Sequence, residues 1–244
     1  MKKFRRFGWD NFPLVWIHAQ ELAVKKHPCY HAAKSGDPDA AFGLVIDSIS
    51  TAIIQQLREV FHGRKTILVS VHAIEGTGVN AIPEALADLL AEYLGWRTDS
   101  GIIQTNIVGH TGADGFSRLA RQAEFDGLVI PDESYLMVDD FIGQGGTLAN
   151  LRSHIILNGG HILGATVLTG KSYSARLALT VETLNALRLT HGTELEVWWQ
   201  HQFGFGFDSL TESEARYLLK TQTADRIRDK IITAVEGRDR QTDL

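Results

Sequence analysis

Residues 135–147 are Tyr135-Leu136-Met137-Val138-Asp139-Asp140-Phe141-Ile142-Gly143-Gln144-Gly145-Gly146-Thr147, or YLMVDDFIGQGGT. Four mostly apolar residues lead directly into two adjacent carboxylates, and a segment with three glycines follows. A run that is apolar at every position indicates a strand buried on both faces, as in the centre of a parallel sheet. The carboxylates then fall at the carboxyl end of this strand, which is the edge where such sheets bind ligands.

The glycine segment precedes a helix predicted over residues 148–157, which Asn158-Gly159-Gly160 would end. Glycines at such a position let successive backbone N–H groups converge on an anion, and the positive end of the helix dipole strengthens the attraction. Thr147 adds a hydroxyl donor. Because carboxylates repel a bare phosphate, we expect the two acids to hold hydroxyl groups or a metal and the loop to hold a phosphate. A sugar phosphate carries both kinds of group.

The composition sets broad limits on the class of protein. With 244 residues, of which 44% are hydrophobic, the chain can bury the core of one α/β domain. A net charge of -5 argues against stable nucleic-acid binding. The single cysteine, Cys29, excludes an intrachain disulfide and a multi-cysteine zinc site. No run of 18 uncharged apolar residues occurs, so we expect a cytoplasmic protein with no membrane partner.

Hydrophobic periodicity predicts the remaining elements. Helical spacing of apolar residues predicts one long helix over residues 39–62 and another over residues 81–94. Short β-branched or apolar runs predict strands over residues 66–71, 102–108, 128–130, 136–138, 162–168 and 195–199. This alternation predicts an α/β fold, a mostly parallel sheet with helices on both faces. We expect a single domain with its core at about 64–200, an N-terminal helical extension at 1–63 and a C-terminal helical region at 201–244.

Residues 135–147 resemble the phosphoribosyl pyrophosphate (PRPP) motif of type I phosphoribosyltransferases, in which four apolar residues, two acids and a short Gly/Thr-rich loop follow without gaps. The resemblance implies that Asp139 and Asp140 hold the ribose 2′ and 3′ hydroxyls and a Mg²⁺ ion that is mostly held by substrate. It also implies a homodimer, and a loop that wraps the 5′-phosphate with Gly143, Gln144, Gly145, Gly146 and Thr147. Gly143 and Gln144 stand where the family usually carries Thr, which leaves backbone donors but removes hydroxyls.

Two further segments extend the resemblance over roughly residues 67–168. The stretch Glu75-Gly76-Thr77-Gly78-Val79-Asn80 lies where the family places its pyrophosphate loop. Its last three residues resemble the R-G-x-N stretch of competence-associated phosphoribosyltransferase-like proteins, with Thr77 in place of the Arg. Residues 111–127 resemble the same group's mobile loop, which closes over the substrate. The resemblance makes Glu75, Gly76, Thr77, Gly78 and Asn80 candidate substrate-binding residues, and it makes Arg118 and Arg121 candidate catalytic cations for the leaving pyrophosphate.

The implied function is transfer of the phosphoribosyl group from PRPP, with Mg²⁺, to a nitrogenous acceptor. The departures at Thr77, Gly143 and Gln144 keep a second interpretation open, a non-catalytic regulatory protein of the same fold that senses PRPP or a nucleotide. A third is an NAD-dependent oxidoreductase, because residues 76–81 also satisfy G-x-G-x-x-A. A dinucleotide site needs an acidic residue at the end of its second strand, and the strand predicted over 102–108 does not end in one.

Two other features have open interpretations. Lys34 could reach a phosphate or face solvent. The aromatic stretch of Trp198-Trp199 and Phe203-Gly204-Phe205-Gly206-Phe207 could stack on a base, cover the cleft, or pack in the core or a dimer interface.

Overall fold

The structure is a computed structural model that describes residues 3–75, 78–108 and 114–242, without the side chains of residues 74, 75 and 237–242. The strands are β1 Trp16–Gln20, β2 Thr66–Ser70, β3 Ile74–Glu75, β4 Gly78–Val79, β5 Arg97–Asp99, β6 Ile103–Gln104, β7 Phe125–Asp126, β8 Ser134–Ile142 and β9 His161–Gly170. The α-helices are α1 Glu21–Lys26, α2 Tyr30–Lys34, α3 Pro38–Ser48, α4 Thr51–Val60, α5 Ile82–Leu94, α6 Gly115–Ala120, α7 Gly146–Leu157, α8 Val181–Phe203, α9 Glu212–Leu219 and α10 Ala224–Thr242.

Five strands form a parallel sheet in the order β1-β9-β8-β2-β5. The central strand β8 is buried on both faces: Leu136 and Val138 pack among α3, α4 and α5, whereas Tyr135 and Met137 pack against α7. Strand residues alternate between the two faces, so a continuous apolar run is what a doubly covered strand requires. The predicted α/β fold, a parallel sheet with helices on both faces, is confirmed.

A third cluster of buried side chains lies among α6, α8, α9 and α10. On α8, Leu195, Trp199 and Phe203 follow one another at intervals of four residues and are all fully buried. This is the spacing of one helix face, so the strand predicted over residues 195–199 is wrong. The rings of Trp199 and Phe203 lie 4.2 Å apart, with Phe205 and Phe207 beside them. The aromatic stretch therefore packs mainly in the core.

The long helix predicted over residues 39–62 is two helices, α3 and α4, bent by 84°. Ile49 and Ser50 adopt extended backbone conformations, and the Ser50 hydroxyl accepts a hydrogen bond from the Ile53 backbone N–H (3.3 Å). A serine that caps a new helix in this way competes with continuation of the previous one. In the described ranges no single helix is long and apolar enough to span a membrane, although this bent pair meets those criteria together.

Two strand predictions fail in this region, and two strands of the main sheet were not predicted. The strand predicted over 102–108 shrinks to β6, which pairs with β7, and residues 128–130 form no strand. The sheet edge is instead β5, whose polar sequence gives no strand pattern. At the other edge, β1 pairs with β9, so the N-terminal extension predicted as helical also supplies a strand of the main sheet.

His18 on β1 is expected to make folding depend on pH. It is 8% exposed, its Nδ1 accepts from the Ser50 backbone N–H (3.2 Å), and its Nε2 lies 3.1 Å from Thr166 Oγ1. Burial lowers the pKa of His18 from 6.5 to about 4. The unfolded chain therefore binds a proton that the folded chain does not bind between these values, which favours unfolding as the pH falls through that window.

We expect this group to reduce the free energy of unfolding by roughly 3 kcal/mol over the whole window, since a tenfold change in proton affinity is worth about 1.4 kcal/mol. Urea unfolding of the wild type and of His18→Gln across this window measures the effect. The variant should have the flatter pH dependence, and equal slopes would contradict the assignment.

Candidate functional site

A cleft of about 300 Å³ lies where β2 and β8 end. Its walls come from the end of β8 and the loop after it, the segments that follow β2, helix α6, and helices α1 and α2. The structure brings together here most of the candidate residues from the sequence: Asp139, Asp140, Arg118, Arg121, Gly143, Gln144, Gly145, Gly146, Thr147 and Asn80. Lys25, Tyr30 and Lys34 line it too, from a part of the chain outside the family resemblance.

The sequence predicted that Asp139 and Asp140 come after the end of the strand. They instead lie within it, because β8 continues through them to Ile142. Strand β9 pairs with this extension, whereas the register with β2 stops where Ser70 lies opposite Val138. The acids therefore stand in a strand that projects past its neighbour. This is why their side chains reach the cleft although their backbone belongs to the sheet.

The electrostatics of the two acids differ. Asp139 is 7% exposed, and its Oδ1 accepts a hydrogen bond from the Asp140 backbone N–H (2.8 Å). Burial, and then the neighbouring charge of Asp140, raise the pKa of Asp139 well above 3.8. Asp140 accepts a hydrogen bond from Lys34 Nζ (3.1 Å). The pair thus presents less negative charge than two free carboxylates and suits hydroxyl groups.

The glycine loop ends at the amino terminus of α7. Gly145 has a φ of +80°, and a Cβ there would overlap the Leu177 side chain, so no other residue fits without strain. Gly145, the N-cap residue of α7, has no side chain that could cap the helix. Its first backbone N–H groups, at Gly146 and Thr147, are therefore available to an anion, which the helix dipole also attracts.

The carboxamide of Gln144 is a further group in this loop. Its Oε1 and Nε2 are both buried and have no hydrogen-bond partner in the described parts of the chain. Its backbone carbonyl, in contrast, accepts from Thr211 Oγ1 (2.5 Å), which fixes the loop to the start of α9. Gln144 stands where the family usually has Thr, and its amide N–H₂ can replace the missing hydroxyl donor.

Helix α6 stands over the glycine loop. Asp114 caps it by accepting from the Ser117 backbone N–H (2.7 Å), and Phe116 packs edge-on against Tyr217 at a ring distance of 5.0 Å. A Cβ on Gly143 would lie 3.4 Å from the Arg118 guanidinium. The described part of the segment that resembles a mobile loop thus begins with a packed helix, while residues 109–113 lie outside the described residues.

A buried ion pair stabilises the glycine loop. Arg6 donates to Glu214 (2.7 Å), and the two side chains are 1% and 2% exposed. The same guanidinium also donates to Asn150 Oδ1 (2.6 Å), Gln122 Oε1 (2.6 Å) and the Gly146 carbonyl (3.3 Å). Sequence reasoning missed this network because its members are separated by up to 208 residues and share no motif.

The Glu214 carboxylate also caps the start of α9. It accepts from the Thr211 backbone N–H (2.9 Å), while Thr211 Oγ1 accepts from the Glu214 backbone N–H (3.0 Å). This is the capping box that the residues 211–214 suggest in the sequence. The cap and the ion pair together connect α9 to the glycine loop.

The structure describes only part of the candidate pyrophosphate loop. Gly78 has a φ of +133°, and a Cβ there would meet the Ser35 carbonyl, so its glycine serves close backbone packing. Asn80 is buried, and its Oδ1 accepts from the Ile82 backbone N–H (3.2 Å). Glu75 lies in β3 with its side chain not described, and the candidates Gly76 and Thr77 lie outside the described residues.

The strand predicted over 102–108 is not the second strand that a dinucleotide site would use. The strand that follows α5 is β5, and it does end in an acid, Asp99. However, the Asp99 carboxylate accepts from the Gly101 backbone N–H (2.8 Å), and Asp99 is not among the described residues that line the cleft. Residues 71–75, which include β3, also lie between β2 and the start of the motif, and Gly78 belongs to β4. A Rossmann site requires these glycines directly after the strand.

The cleft suits a Mg²⁺ ion only when a phosphate compound is bound with the ion. Across the described ranges, no three His, Cys, Asp or Glu side chains converge on one point. The cleft offers the carboxylates of Asp139 and Asp140, of which the second is already bound to Lys34. Mg²⁺ prefers octahedral oxygen ligation, so most of its ligands here would have to come from a bound phosphate compound and water.

Comparison with known proteins gives relatives in sequence. No protein-family model matches the chain. Protein TraN of Escherichia coli is 38% identical over 229 residues, which are 94% of this chain and 51% of that protein. An uncharacterised protein of Haemophilus influenzae is 36% identical over 156 residues, which are 64% of this chain and 35% of that protein. The chain therefore spans about half the length of TraN and about a third of the second relative.

Among solved structures, an adenine phosphoribosyltransferase superposes with a TM-score of 0.37 and 17% identity over 54% of this chain and 71% of that one. A purine phosphoribosyltransferase from Pyrococcus horikoshii superposes with a TM-score of 0.33 and 16% identity over 55% and 83%. The UMP synthase of Leishmania donovani gives 0.32 and 11% over 73% and 35%. Because these TM-scores are below 0.5, the function has to be inferred from the site itself.

Proposed function

We propose that the cleft binds PRPP and that the chain is a phosphoribosyltransferase, which transfers the phosphoribosyl group to a nitrogenous acceptor and releases pyrophosphate. The observation that supports this is the placement of Asp139 and Asp140 directly before an uncapped helix amino terminus in one cleft. Acids suit the two ribose hydroxyls, and the helix amino terminus suits the 5′-phosphate. The type I phosphoribosyltransferase motif has the same groups in the same order.

In this proposal the protein positions the substrate and stabilises charge. The backbone N–H groups of the glycine loop hold the 5′-phosphate, and Asp140 exchanges Lys34 for a ribose hydroxyl. As the bond at C1′ breaks, positive charge develops on the ribose and negative charge on pyrophosphate. Arg118 and Arg121 stabilise the pyrophosphate, and Mg²⁺ held through substrate oxygens would neutralise more of its charge. The homodimer and the cytoplasmic location stay predictions.

A second candidate is a sensor that binds PRPP without turning it over. Thr77, which stands in place of the Arg in the R-G-x-N stretch, favours it, because that stretch then lacks a cation for the leaving pyrophosphate. Gly143 and Gln144 also lack the hydroxyls of the family's loop. A sensor would bind the ligand and keep it intact.

Pyrophosphate release in the presence of PRPP, Mg²⁺ and a panel of nitrogenous acceptors distinguishes the two candidates. For the enzyme, we expect the Arg118→Ala, Arg121→Ala double variant to release pyrophosphate roughly 100- to 1,000-fold more slowly, as when charge-stabilising donors are removed from other enzymes. Arg226→Ala, at an exposed position on α10, is the matched control and should not change the rate. Binding of PRPP with no release for any acceptor would favour the sensor.

A further inference from the structure

Lys34 lies next to both the acid pair and the candidate pyrophosphate loop. It belongs to α2, in the N-terminal part of the chain that the family resemblance does not cover, and it lines the cleft. Its Nζ donates to Asp140 Oδ2 (3.1 Å), and the two side chains are 19% and 14% exposed. The ammonium group is therefore in direct contact with a carboxylate that is expected to hold a ribose hydroxyl.

The end of α2 packs against residues 78–81, at the end of the candidate pyrophosphate loop. The Ala81 backbone N–H donates to the carbonyl of Ala33, the residue before Lys34 (3.2 Å). A Cβ on Gly78 would lie 2.5 Å from the carbonyl oxygen of Ser35, the residue after Lys34, so only glycine allows this close approach. The backbone on both sides of Lys34 thus contacts this loop.

The loop brings no cation of its own. Residues 71–81 contain no Lys or Arg, and Thr77 stands where the resembled R-G-x-N stretch has its Arg. Negative charge on pyrophosphate increases as it leaves, so a cation nearby stabilises the transition state. Lys25 also lines the cleft, but it donates to Glu21 (2.6 Å). Lys34 is the cleft lysine whose helix contacts the loop.

The position of Lys34 also fits the chemistry of the bound sugar. Pyrophosphate leaves from C1′, which is bonded to the carbon that carries the 2′ hydroxyl. A group in contact with the carboxylate that holds the ribose hydroxyls is therefore close to the leaving group. When a ribose hydroxyl donates to Asp140, it replaces the Lys34 ammonium. The flexible four-carbon stem of lysine lets the ammonium turn to a new anionic partner while α2 stays in place.

We infer that Lys34 is the cation that binds the pyrophosphate of PRPP, in place of the Arg that the loop lacks at Thr77. It pairs with Asp140 before the substrate binds and with pyrophosphate once ribose takes its place at Asp140. This inference rests on the proposed PRPP site. It also provides the charge whose absence from the loop favours a sensor.

Calorimetric titrations of two ligands with Mg²⁺ test this role. Ribose 5-phosphate has the 5′-phosphate and the ribose hydroxyls of PRPP but no pyrophosphate. We expect Lys34→Met, which has a similar length and no charge, to bind PRPP roughly 10- to 100-fold more weakly, the range for one charge-assisted hydrogen bond. Its affinity for ribose 5-phosphate should not fall, because the ammonium no longer competes for Asp140.

Two further variants serve as controls. Lys34→Arg keeps the cation and should keep most of the PRPP affinity. Lys65→Met removes an exposed lysine just before β2, at the opposite end of that strand from the cleft, and should leave PRPP binding unchanged.

The outcomes separate the inference from the function on which it rests. Equal losses of affinity for PRPP and ribose 5-phosphate in Lys34→Met would mean that Lys34 only supports the acid pair, and would overturn the inference. Unchanged PRPP affinity in Lys34→Met would overturn it too. Failure of the wild type to bind PRPP would instead overturn the proposed function itself.

Discussion

Replacement of Arg6 by methionine is expected to lower the free energy of unfolding by roughly 3–5 kcal/mol, the usual effect of leaving one member of a buried ion pair without its partner. Arg6 and Glu214 are 1% and 2% exposed, so the carboxylate that remains has no access to water. Asn150 and Gln122 lose their guanidinium donor in the same change. Urea denaturation of the wild type and the variant measures the loss.

Two further variants show whether the buried charge is the cause. Glu214→Gln added to Arg6→Met removes the charge and keeps a residue that can complete the capping box with Thr211, so it should recover most of the stability. Arg228→Met breaks an ion pair with Asp225, which is 84% exposed, and should cost less than about 1 kcal/mol. Equal losses for Arg6→Met and Arg228→Met would contradict the account.

The second large effect concerns ligand binding. We expect the Asp139→Asn, Asp140→Asn double variant to bind PRPP at least about 100-fold more weakly, since two charge-assisted hydrogen bonds are worth about 3 kcal/mol together at their lower limit. The loss should not come from unfolding. Because burial raises the pKa of Asp139, its charged form destabilises the fold above the ordinary value of 3.8, and asparagine avoids this cost.

Asp99→Asn is the matched control for the acid pair. Asp99 ends β5 in the same sheet, and asparagine keeps the oxygen that accepts from the Gly101 backbone N–H. PRPP affinity should not change in this variant. If Asp99→Asn weakened binding while the double variant at Asp139 and Asp140 did not, the ligand would lie elsewhere and the dinucleotide interpretation would regain support.

The sequence predicted secondary structure correctly where burial on both faces of a strand requires a continuous apolar run. The run before Asp139 predicts a doubly covered strand because both of its faces meet apolar helices. Strand β5 could not be predicted, because an edge strand with the sequence Arg-Thr-Asp is held mainly by backbone hydrogen bonds to β2. The bend at Ser50 was missed because apolar spacing continues across it, whereas the break comes from a single capping hydroxyl.

The site could be predicted only as far as it is local in sequence. The acids and the glycine loop are contiguous, so one motif contains them. Lys34 contacts Asp140 and Arg6 contacts the Gly146 carbonyl, although each residue is more than 100 positions away from its partner in the sequence. Only the packing of the chain determines these contacts.

Calorimetric titration of PRPP into the wild-type protein, with and without Mg²⁺, measures whether the cleft is a PRPP site. We expect saturable binding that Mg²⁺ strengthens and that the double variant at Asp139 and Asp140 loses. Absence of binding to the wild type under both conditions would contradict the proposed site. So would binding that is unchanged in the double variant.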